Sequence, residues 1–295
     1  DGTVTGIQAI KLLYREYNAV CNLIVSPGYS EIPAVYNAMV SAAQKINGHW
    51  DAFVLADIPT SVSTVSYNAV TPAGTENPKN EGWYVVDDGE YVLSTDTTVQ
   101  SETTYYRKVT TTTGIDTITK AKTWQETNGY TSELSKVFWP KAVNSDKIYH
   151  LSTVCAAEML YIDSDNDAVP YVSASNHEIM ATGQYFGENV TNPGFDDQEA
   201  NGLNEAGITT MAYWEGVWKL WGGHTAAFKY NTSMDAAVIF DTNMRMLMHL
   251  TNGFQKRHGI EIDQPLTVAA KETIRISEQQ ELDILKSIGA LIGSP

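Results

Sequence analysis

Cysteine, basic residues and long apolar runs are all scarce in this sequence. Its two cysteines, Cys21 and Cys155, stand far apart without a CxxC partner, which argues against a disulfide framework or a thiolate zinc site. The longest apolar runs, at residues 20–25 and 52–56, are far shorter than the roughly 20 residues that cross a bilayer. The sequence therefore predicts reduced, buried cysteines and no membrane insertion.

Charge of one sign dominates the chain. Its 19 Lys and Arg residues stand against 35 Asp and Glu residues, which gives a formal net charge of −16. Binding to a phosphate backbone depends on clustered Lys and Arg side chains, so this balance opposes a nucleic-acid partner. With 43% hydrophobic and 18% charged residues, the chain has enough apolar side chains for a substantial core.

Motifs of metal and nucleophilic catalysis are missing as well. Residues 163–167 imitate the start of a calcium-binding EF-hand loop, but Ala168 replaces its glycine and Ala174 replaces its bidentate glutamate. No two of the six histidines have the HExxH spacing, no G-x-S-x-G elbow is present, and Gly222-Gly223 lacks the rest of a phosphate loop. We therefore expect no enzyme activity, no metal and no cofactor.

The first part of the chain alternates helix and strand signals. Residues 6–16 place apolar side chains on one helical face, and the apolar run 20–25 is stopped by a Pro-Gly pair. A second helix, with Ser30 as its N-cap, leads to a buried strand at 52–56. Strand, helix and strand with short connections predict a parallel pair, and hence an α/β fold with a mixed sheet.

The amino-acid composition then changes to mostly Thr, Ser, Tyr and Val with turn dipeptides, and helical periodicity disappears. An Asp-Gly turn at 88–89 between two β-rich runs is the strongest short-range hairpin signal, and another hairpin is predicted at 110–113. We interpret residues 60–132 as a surface-exposed β-rich domain. It interrupts a discontinuous α/β core of residues 1–59 and 133–295.

The mixed pattern returns after the β-rich segment. Residues 137–140 predict an edge strand, because their proline cannot donate to a central ladder, and residues 149–161 predict a helix. A hairpin is expected to turn at 215–216. A long amphipathic helix then ends near Gly259, and Pro265 suits the first turn of another helix.

A set of short motifs, in order and spacing, resembles the landmarks of contractile tail sheath proteins. The most characteristic stretch, residues 202–225, contains Leu-Asn, Gly-Ile, a strand, Gly, and Trp-Gly followed shortly by Thr. One departure is His224, where many members carry Arg. The resemblance covers most of the chain except the β-rich segment. Its landmark positions are Pro27, Gly28, Pro140, Leu203, Asn204, Gly207, Ile208, Gly216, Trp221, Gly222, Thr225, Asn243 and Arg245.

This resemblance implies a structural subunit instead of an enzyme. Members of the family share an α/β core with variable outward β insertions, polymerise around a tail tube, and contract on a baseplate trigger. The resemblance thus implies other copies, the tube protein and the baseplate as partners, assembly in the bacterial cytoplasm, and a place in the virion tail. Phage tails, R-type bacteriocins and type VI secretion sheaths share this core. The large insertion favours a phage, in which contraction leads to genome ejection through the host envelope.

The family also has terminal arms that add strands to the sheets of neighbouring subunits. This sequence starts at Asp1, directly before its first helix, and stops at Pro295, so it resembles a truncated core without arms. Missing arms and a net charge of −16 would both oppose self-association. We therefore expect this fragment alone to be monomeric.

Basic residues concentrate in the C-terminal third of this acidic chain. Charge complementarity fixes the register between stacked subunits, so these side chains are candidate contacts with the tube or with neighbouring subunits. Solvated helix faces are the alternative explanation. The candidates are Arg245, Lys256, Arg257, Arg275 and Lys286. A different function would make the Thr- and Tyr-rich insertion a module that binds glycans or a host surface.

Overall fold

The computed structural model describes residues 6–229 and 235–292, which form two compact units. The larger contains the residues up to Thr60 and from Asp116 onward, and the smaller is Ser61–Ile115. Asp1 and Pro295, which suggested a truncated core, lie outside the described residues. The strands are β1 (Leu23–Val25), β2 (Phe53–Asp57), β3 (Ser61–Val70), β4 (Tyr84–Asp87), β5 (Glu90–Leu93), β6 (Tyr105–Gly114), β7 (Ser135–Phe138), β8 (Lys141–Asn144), β9 (Lys147–Tyr149), β10 (Gly183–Tyr185), β11 (Ile208–Trp214) and β12 (Val217–Trp221). The α-helices are α1 (Leu13–Tyr17), α2 (Pro33–Ala42), α3 (Ile118–Thr127), α4 (Leu151–Asp165), α5 (Asp197–Asn204), α6 (Ala236–Ile239), α7 (Asp241–His258) and α8 (Val268–Ser287).

A five-stranded mixed sheet with the order β1-β2-β7-β11-β12 forms the centre of the larger unit. The first four strands run parallel, and β12 is antiparallel to β11. Every residue of β2 is buried, as is typical of a strand that is covered on both faces. The core packs this sheet against α4 through Phe53, Leu55, Cys155 and Met159. The predicted α/β fold, with a parallel pair around a helical crossover, is confirmed.

The first helices differ from the sequence-based expectation in two ways. Gly6–Leu12 is a 3-10 helix, and only Leu13–Tyr17 is α-helical. The helix α2 begins at Pro33, whose fixed φ suits the first turn of a helix. Ser30 is not its N-cap: the buried Ser30 hydroxyl accepts a hydrogen bond from the Asp57 backbone N–H at 3.1 Å. Ser30 therefore joins the turn after β1 to the end of β2.

The strand β7 lies between β2 and β11, so the predicted edge strand over residues 137–140 is wrong. All four residues of β7 are buried, and the strand ends at Phe138. The next N–H, of Trp139, donates to the Thr209 carbonyl at 3.1 Å. Pro140 follows, after the last ladder position. A proline there removes no hydrogen bond from the sheet, so it does not mark an edge.

Two further parts of the larger unit are antiparallel. β11 and β12 form the predicted hairpin, which turns at Glu215 and Gly216, both with positive φ. The strands β8, β9 and β10 form a separate sheet in the order β10-β8-β9. The helix α4 follows β9 and spans Leu151–Asp165, close to the prediction of 149–161.

The smaller unit is a four-stranded antiparallel sheet with the order β3-β6-β4-β5. Its long strands β3 and β6 pair along their whole length. The predicted Asp-Gly hairpin is confirmed, because Asp88 and Gly89 have positive φ between β4 and β5. The hairpin predicted at 110–113 is wrong, because β6 runs straight through these residues. Trp83 and Tyr105 are fully buried and give the unit a small core.

The helix α3 belongs to the larger unit, whereas the predicted β-rich segment 60–132 included it. Its Ala121 and Gln125 are buried, and the Gln125 amide donates to the Tyr130 carbonyl at 3.1 Å. Tyr130 in turn stacks on Tyr36 of α2 with ring centroids 3.9 Å apart. The boundary of the larger unit therefore falls at residue 116, before α3.

Two long helices follow in the C-terminal part. The helix α7 ends immediately before Gly259, as predicted. The helix α8 begins at Val268, later than Pro265 suggested, because the Thr267 hydroxyl caps it by accepting from the Ala270 N–H. Leu285 is its one fully buried residue, so α8 packs less deeply than the other long helices.

Candidate assembly surfaces

The segment that joins α5, β11 and β12 is packed so tightly that it requires glycine. Gly207 has φ +72°, and a Cβ atom there would lie 2.7 Å from the Thr225 carbonyl oxygen. Gly222 has φ +134°, and a Cβ atom there would clash with the Asn204 side chain and approach Thr209. Both positions combine a positive φ with a close approach, which L side chains do not tolerate. These landmark glycines are therefore structural.

Asn204, the last residue of α5, uses its side-chain amide to join two strands of the sheet. With its amide nitrogen turned toward the sheet, it donates to the carbonyls of Ile208 and Trp221, each at 3.2 Å. It thereby joins the start of β11 to the end of β12. Leu203 beside it is fully buried, and the His224 ring nitrogen lies 3.2 Å from the Asn204 carbonyl. The motif that resembles sheath proteins thus fixes the hairpin onto α5.

A buried ion pair joins the same motif to the central strand. Lys136 of β7 donates to the Asp241 carboxylate at 2.8 Å and to the Gly222 carbonyl at 2.7 Å. The side chains of Lys136 and Asp241 are each 1% exposed. Asp241 is the first residue of α7, where a carboxylate also interacts favourably with the helix dipole. This pair is not among the residues predicted from the sequence, although a lysine within an apolar strand is a visible signal.

Arg245 is an internal residue, which corrects its assignment to a contact surface. Its guanidinium forms an ion pair with Asp163 of α4, and its side chain is buried. Because Asp163 lies within α4, it does not open a calcium-binding loop. Among the described residues, no group of three or more His, Cys, Asp or Glu side chains has an arrangement that could hold a metal ion. Asn243, the other landmark of this helix, stands in the first turn of α7.

A polar cluster lies at the carboxyl end of β2, where α/β folds commonly place functional groups. Asp57 accepts from the Ser152 backbone N–H at 3.0 Å and from its hydroxyl at 2.5 Å. The His150 Nδ1 atom is 3.4 Å from both Asp57 and Glu31, and Lys141 pairs with Glu31 at 2.8 Å. Ser152 is fully buried, and its proton is held by Asp57 instead of the imidazole. The cluster therefore anchors the start of α4 and presents no activated nucleophile.

Both cysteines are free thiols; Cys155 is buried as predicted, whereas Cys21 is only partly buried. Burial raises the pKa of Cys155 to about 12 and also raises the pKa of Cys21. Neither is therefore a thiolate at neutral pH, the form that reacts or binds metal. The helices of the described ranges all lack the combined length and hydrophobicity that a membrane span requires.

The strand β1 is an open edge of the five-stranded sheet. Its parallel register, with Leu23 opposite Phe53, turns the N–H groups of Leu23 and Val25 away from β2. Within the described part of the chain, no strand pairs with that outer side. Pro27 and Gly28 then end the strand in a turn. An open edge of this kind can accept a strand from another chain.

The opposite edge, β12, is covered by the chain itself. The Asn176 N–H donates to the Leu220 carbonyl at 2.7 Å, and the Ile179 N–H donates to the Trp218 carbonyl at 2.8 Å. The Leu220 N–H donates back to the His177 carbonyl at 3.0 Å. Strand addition to the large sheet is therefore possible at β1 and blocked at β12.

Arg257, another basic candidate, is engaged within the chain. Its guanidinium forms two hydrogen bonds with the Glu278 carboxylate of α8, at 2.8 and 2.9 Å, and His258 contacts the same carboxylate at 2.7 Å. The hydrogen bonds from Arg257 lower the pKa of Glu278, and Glu278 raises the pKa of Arg257. These contacts hold α8 against the end of α7.

The remaining basic candidates are exposed. Arg275 pairs with Glu272 one turn away on the outer face of α8. Lys256 and Lys286 form no ion pair with any residue of the described ranges. The five candidates therefore do not form one continuous stripe of free charge, since Arg245 is buried and both Arg257 and Arg275 already have acidic partners.

Comparison with known proteins places this chain in one structural class. No protein-family model and no curated protein sequence matches it. A chain of the anti-feeding prophage (AFP) baseplate matches 98% of this chain over 59% of its own length, with a TM-score of 0.59 and 15% identity. The match to a chain of the PVC sheath complex in the contracted state covers 99% of this chain and 62% of that chain, with a TM-score of 0.58 and 13% identity. The match to a chain of the AFP helical sheath in the contracted state covers 98% of this chain and 60% of that chain, with a TM-score of 0.57 and 15% identity.

This chain thus spans about three fifths of the length of the chains that it matches. At 13 to 15% identity, the likeness shows the fold alone. It covers the motifs from β1 to α7 that resemble sheath proteins, and it confirms that resemblance at the level of the fold. The chain has the fold of the sheath proteins of contractile injection systems.

Proposed function

We propose that this chain is the core of a sheath subunit that polymerises around a tail tube and contracts to drive the tube through a host envelope. The observation that carries this proposal is the match of nearly the whole chain to sheath chains solved in the contracted state. The open edge of β1 supports it, because strand addition from neighbouring arms needs such an edge. The proposed partners are other copies, the tube protein and the baseplate.

Contraction in this proposal needs no catalytic residue. The work comes from contacts between subunits that differ between an extended and a contracted lattice. The proposed setting is the tail of a virion, assembled in the host cytoplasm, in which contraction precedes genome ejection. The chain alone is expected to be monomeric, since its net charge of −16 keeps copies apart.

A second candidate function makes the smaller unit a binding module for host glycans. One observation favours it: the Tyr91 ring, 40% exposed, stacks on Tyr67 at 4.0 Å and meets Tyr106 edge-on at 4.9 Å. Exposed aromatic rings of this kind offer apolar faces with polar tips. Binding of the chain to a glycan array that is lost in Tyr91→Ala would favour this function over a purely structural insertion.

We further propose that the smaller unit is an inserted domain that the larger unit does not need for folding. Deleting Ser61–Ile115 and joining Thr60 to Asp116 through a short Gly-Ser linker should preserve cooperative melting. Ser61 and Gly114 are direct partners across an antiparallel ladder, so their Cα atoms lie only about 5 Å apart and a short linker can replace the unit.

A matched deletion tests the boundary. Removing residues 60–132 would also remove α3 and Tyr130, which stacks on Tyr36 in the core of the larger unit. This longer deletion should lose the cooperative transition that the shorter one keeps. Calorimetry measures the melting transition of both variants. Loss of the transition in both would show that the smaller unit is part of the folding core.

Contact between α8 and the tube is testable through charge. In the full-length protein, changing both Arg275 and Lys286 to Glu should reduce the amount of sheath on tubes at least about tenfold, because like charges across an interface repel strongly. Both side chains are exposed, so the melting temperature of the subunit should stay unchanged. The amount of sheath on tubes is counted in electron micrographs of purified tails.

A matched control separates a specific contact from a general change of charge. Lys79 and Lys108 are exposed in the smaller unit, and changing both to Glu alters the net charge by the same amount. This control should assemble like the wild type. Equal sheath counts for the two double variants would show that α8 makes no contact with the tube.

A further inference from the structure

A groove of about 490 Å³ lies beside the C-terminal end of α7. Tyr14 of α1, Trp50 and Phe254 line it with aromatic rings, and Ile262, 62% exposed, stands at its rim. Its volume falls within the range of about 300–1,000 Å³ that is typical of binding pockets. Nothing in the proposed strand addition at β1 uses this groove.

Hydrogen bonds fix the two walls of the groove relative to each other. The Asn252 side chain of α7 accepts from the Asp51 N–H at 3.0 Å and donates to the Asp51 carbonyl at 2.8 Å. One turn later, the Gln255 amide donates to the His49 carbonyl at 2.9 Å. The groove is therefore formed before any partner arrives, so binding would order few side chains.

Exposed lysines gather around this groove. Lys256 lines it directly. Two more lysines lie close to its lining: the Asn47 side chain, which lines the groove, donates to the Lys11 carbonyl at 2.6 Å, and Lys45 stands two residues before Asn47. All three lysines are exposed, and none of their ammonium groups forms an ion pair within the described ranges. The Lys45 backbone N–H donates to the Asp51 carboxylate at 2.9 Å. In a chain with 35 acidic and 19 basic residues, such a group of free cations attracts carboxylates.

We propose that this groove is the docking site for a second copy of this chain in the assembled sheath. An apolar side chain of that copy enters between Trp50 and Phe254, and an adjacent carboxylate pairs with Lys256. The inference rests on the proposed function. Each copy carries a net charge of −16, so its surface is rich in carboxylates, and this contact offsets part of the repulsion between copies. Because it joins two different surfaces, the contact is of the type that builds helical polymers.

Photo-crosslinking in assembled sheath identifies the occupant. A photoreactive phenylalanine derivative in place of Ile262 in the full-length protein should give a product of twice the subunit mass. Mass spectrometry should place the link on a segment of the second copy that contains Asp or Glu. A link to the tube or baseplate protein, or assembled sheath without a link, would overturn the contact alone. A wild-type protein that builds no sheath would overturn the proposed function together with the contact.

A charge reversal measures the contribution of the contact. Lys256→Glu should reduce the yield of sheath recovered by sedimentation at least about tenfold, because it would place two carboxylates together in the groove. Lys79→Glu, an equal charge change in the smaller unit, is the control and should leave the yield unchanged. Melting temperatures equal to that of the wild type establish that both variants fold. A yield for Lys256→Glu that equals the control would overturn the proposal.

Discussion

Replacing Lys136 by Met is expected to lower the free energy of unfolding by about 3–5 kcal/mol, the usual effect of removing one partner from a buried ion pair. The change leaves the Asp241 carboxylate buried without its countercharge, and it leaves the Gly222 carbonyl without its donor. Since Lys136 links β7, the end of β12 and the start of α7, the loss should destabilise the whole larger unit. Chemical denaturation followed by circular dichroism gives the value.

An exposed ion pair provides the comparison. Lys120 pairs with Asp116 at 2.7 Å near the surface, and Lys120→Met should change the unfolding free energy by about 1 kcal/mol or less. If Lys136→Met were no more destabilising than Lys120→Met, the buried pair would not be a structural centre of the larger unit. Replacing Lys136 and Asp241 together by Met and Leu should recover much of the loss, because no unpaired charge would then remain.

The fold class was predictable because the first part of the chain has strong local signals. The apolar runs at 20–25 and 52–56 became β1 and β2, and the helix between them became the crossover. The Asp-Gly turn and the turn at 215–216 were equally local, since Gly89 and Gly216 adopt positive φ without steric cost. These elements need little tertiary context to form.

The wrong predictions share a physical cause, because each depends on distant contacts. Pro140 marks an edge only if it lies inside the strand, and β7 ends before it. The helix α3 has a polar sequence, and its place in the larger unit follows from Tyr130 packing on Tyr36, far away in sequence. A run of β-forming residues such as 110–113 does not state whether it turns or continues.

The candidate contact residues show the same limit. A sequence gives the sign of a charge but not its partner, so Arg245 looked like a surface residue until α4 supplied Asp163. The tight motif around Gly207 and Gly222 was recognisable by its residues, whereas its cause, the close approach of Thr225 and Asn204, required the fold. Likewise, only the sheet order shows that β1 is the open edge.

Replacing Val25 by Pro at the open edge β1 is expected to abolish sheath assembly by the full-length protein. The subunit itself should still fold. The Val25 N–H points away from β2, so proline removes no hydrogen bond within the chain and is tolerated on an edge strand. An added strand from a neighbour would lose this donor and meet the proline ring. Val25 also packs against the core, so Val25→Ala is the matched control: it loses the same packing and keeps the N–H.

Electron microscopy of the full-length wild type, Val25→Ala and Val25→Pro proteins tests the central claim most directly. The wild type and Val25→Ala should form tubular sheaths with a regular helical repeat, and Val25→Pro should remain as folded, unassembled subunits. Calorimetry should show a cooperative transition for all three proteins. Regular tubes formed by Val25→Pro would contradict strand addition at β1, and a wild type that forms no tubes would contradict the assignment of this chain to a contractile sheath.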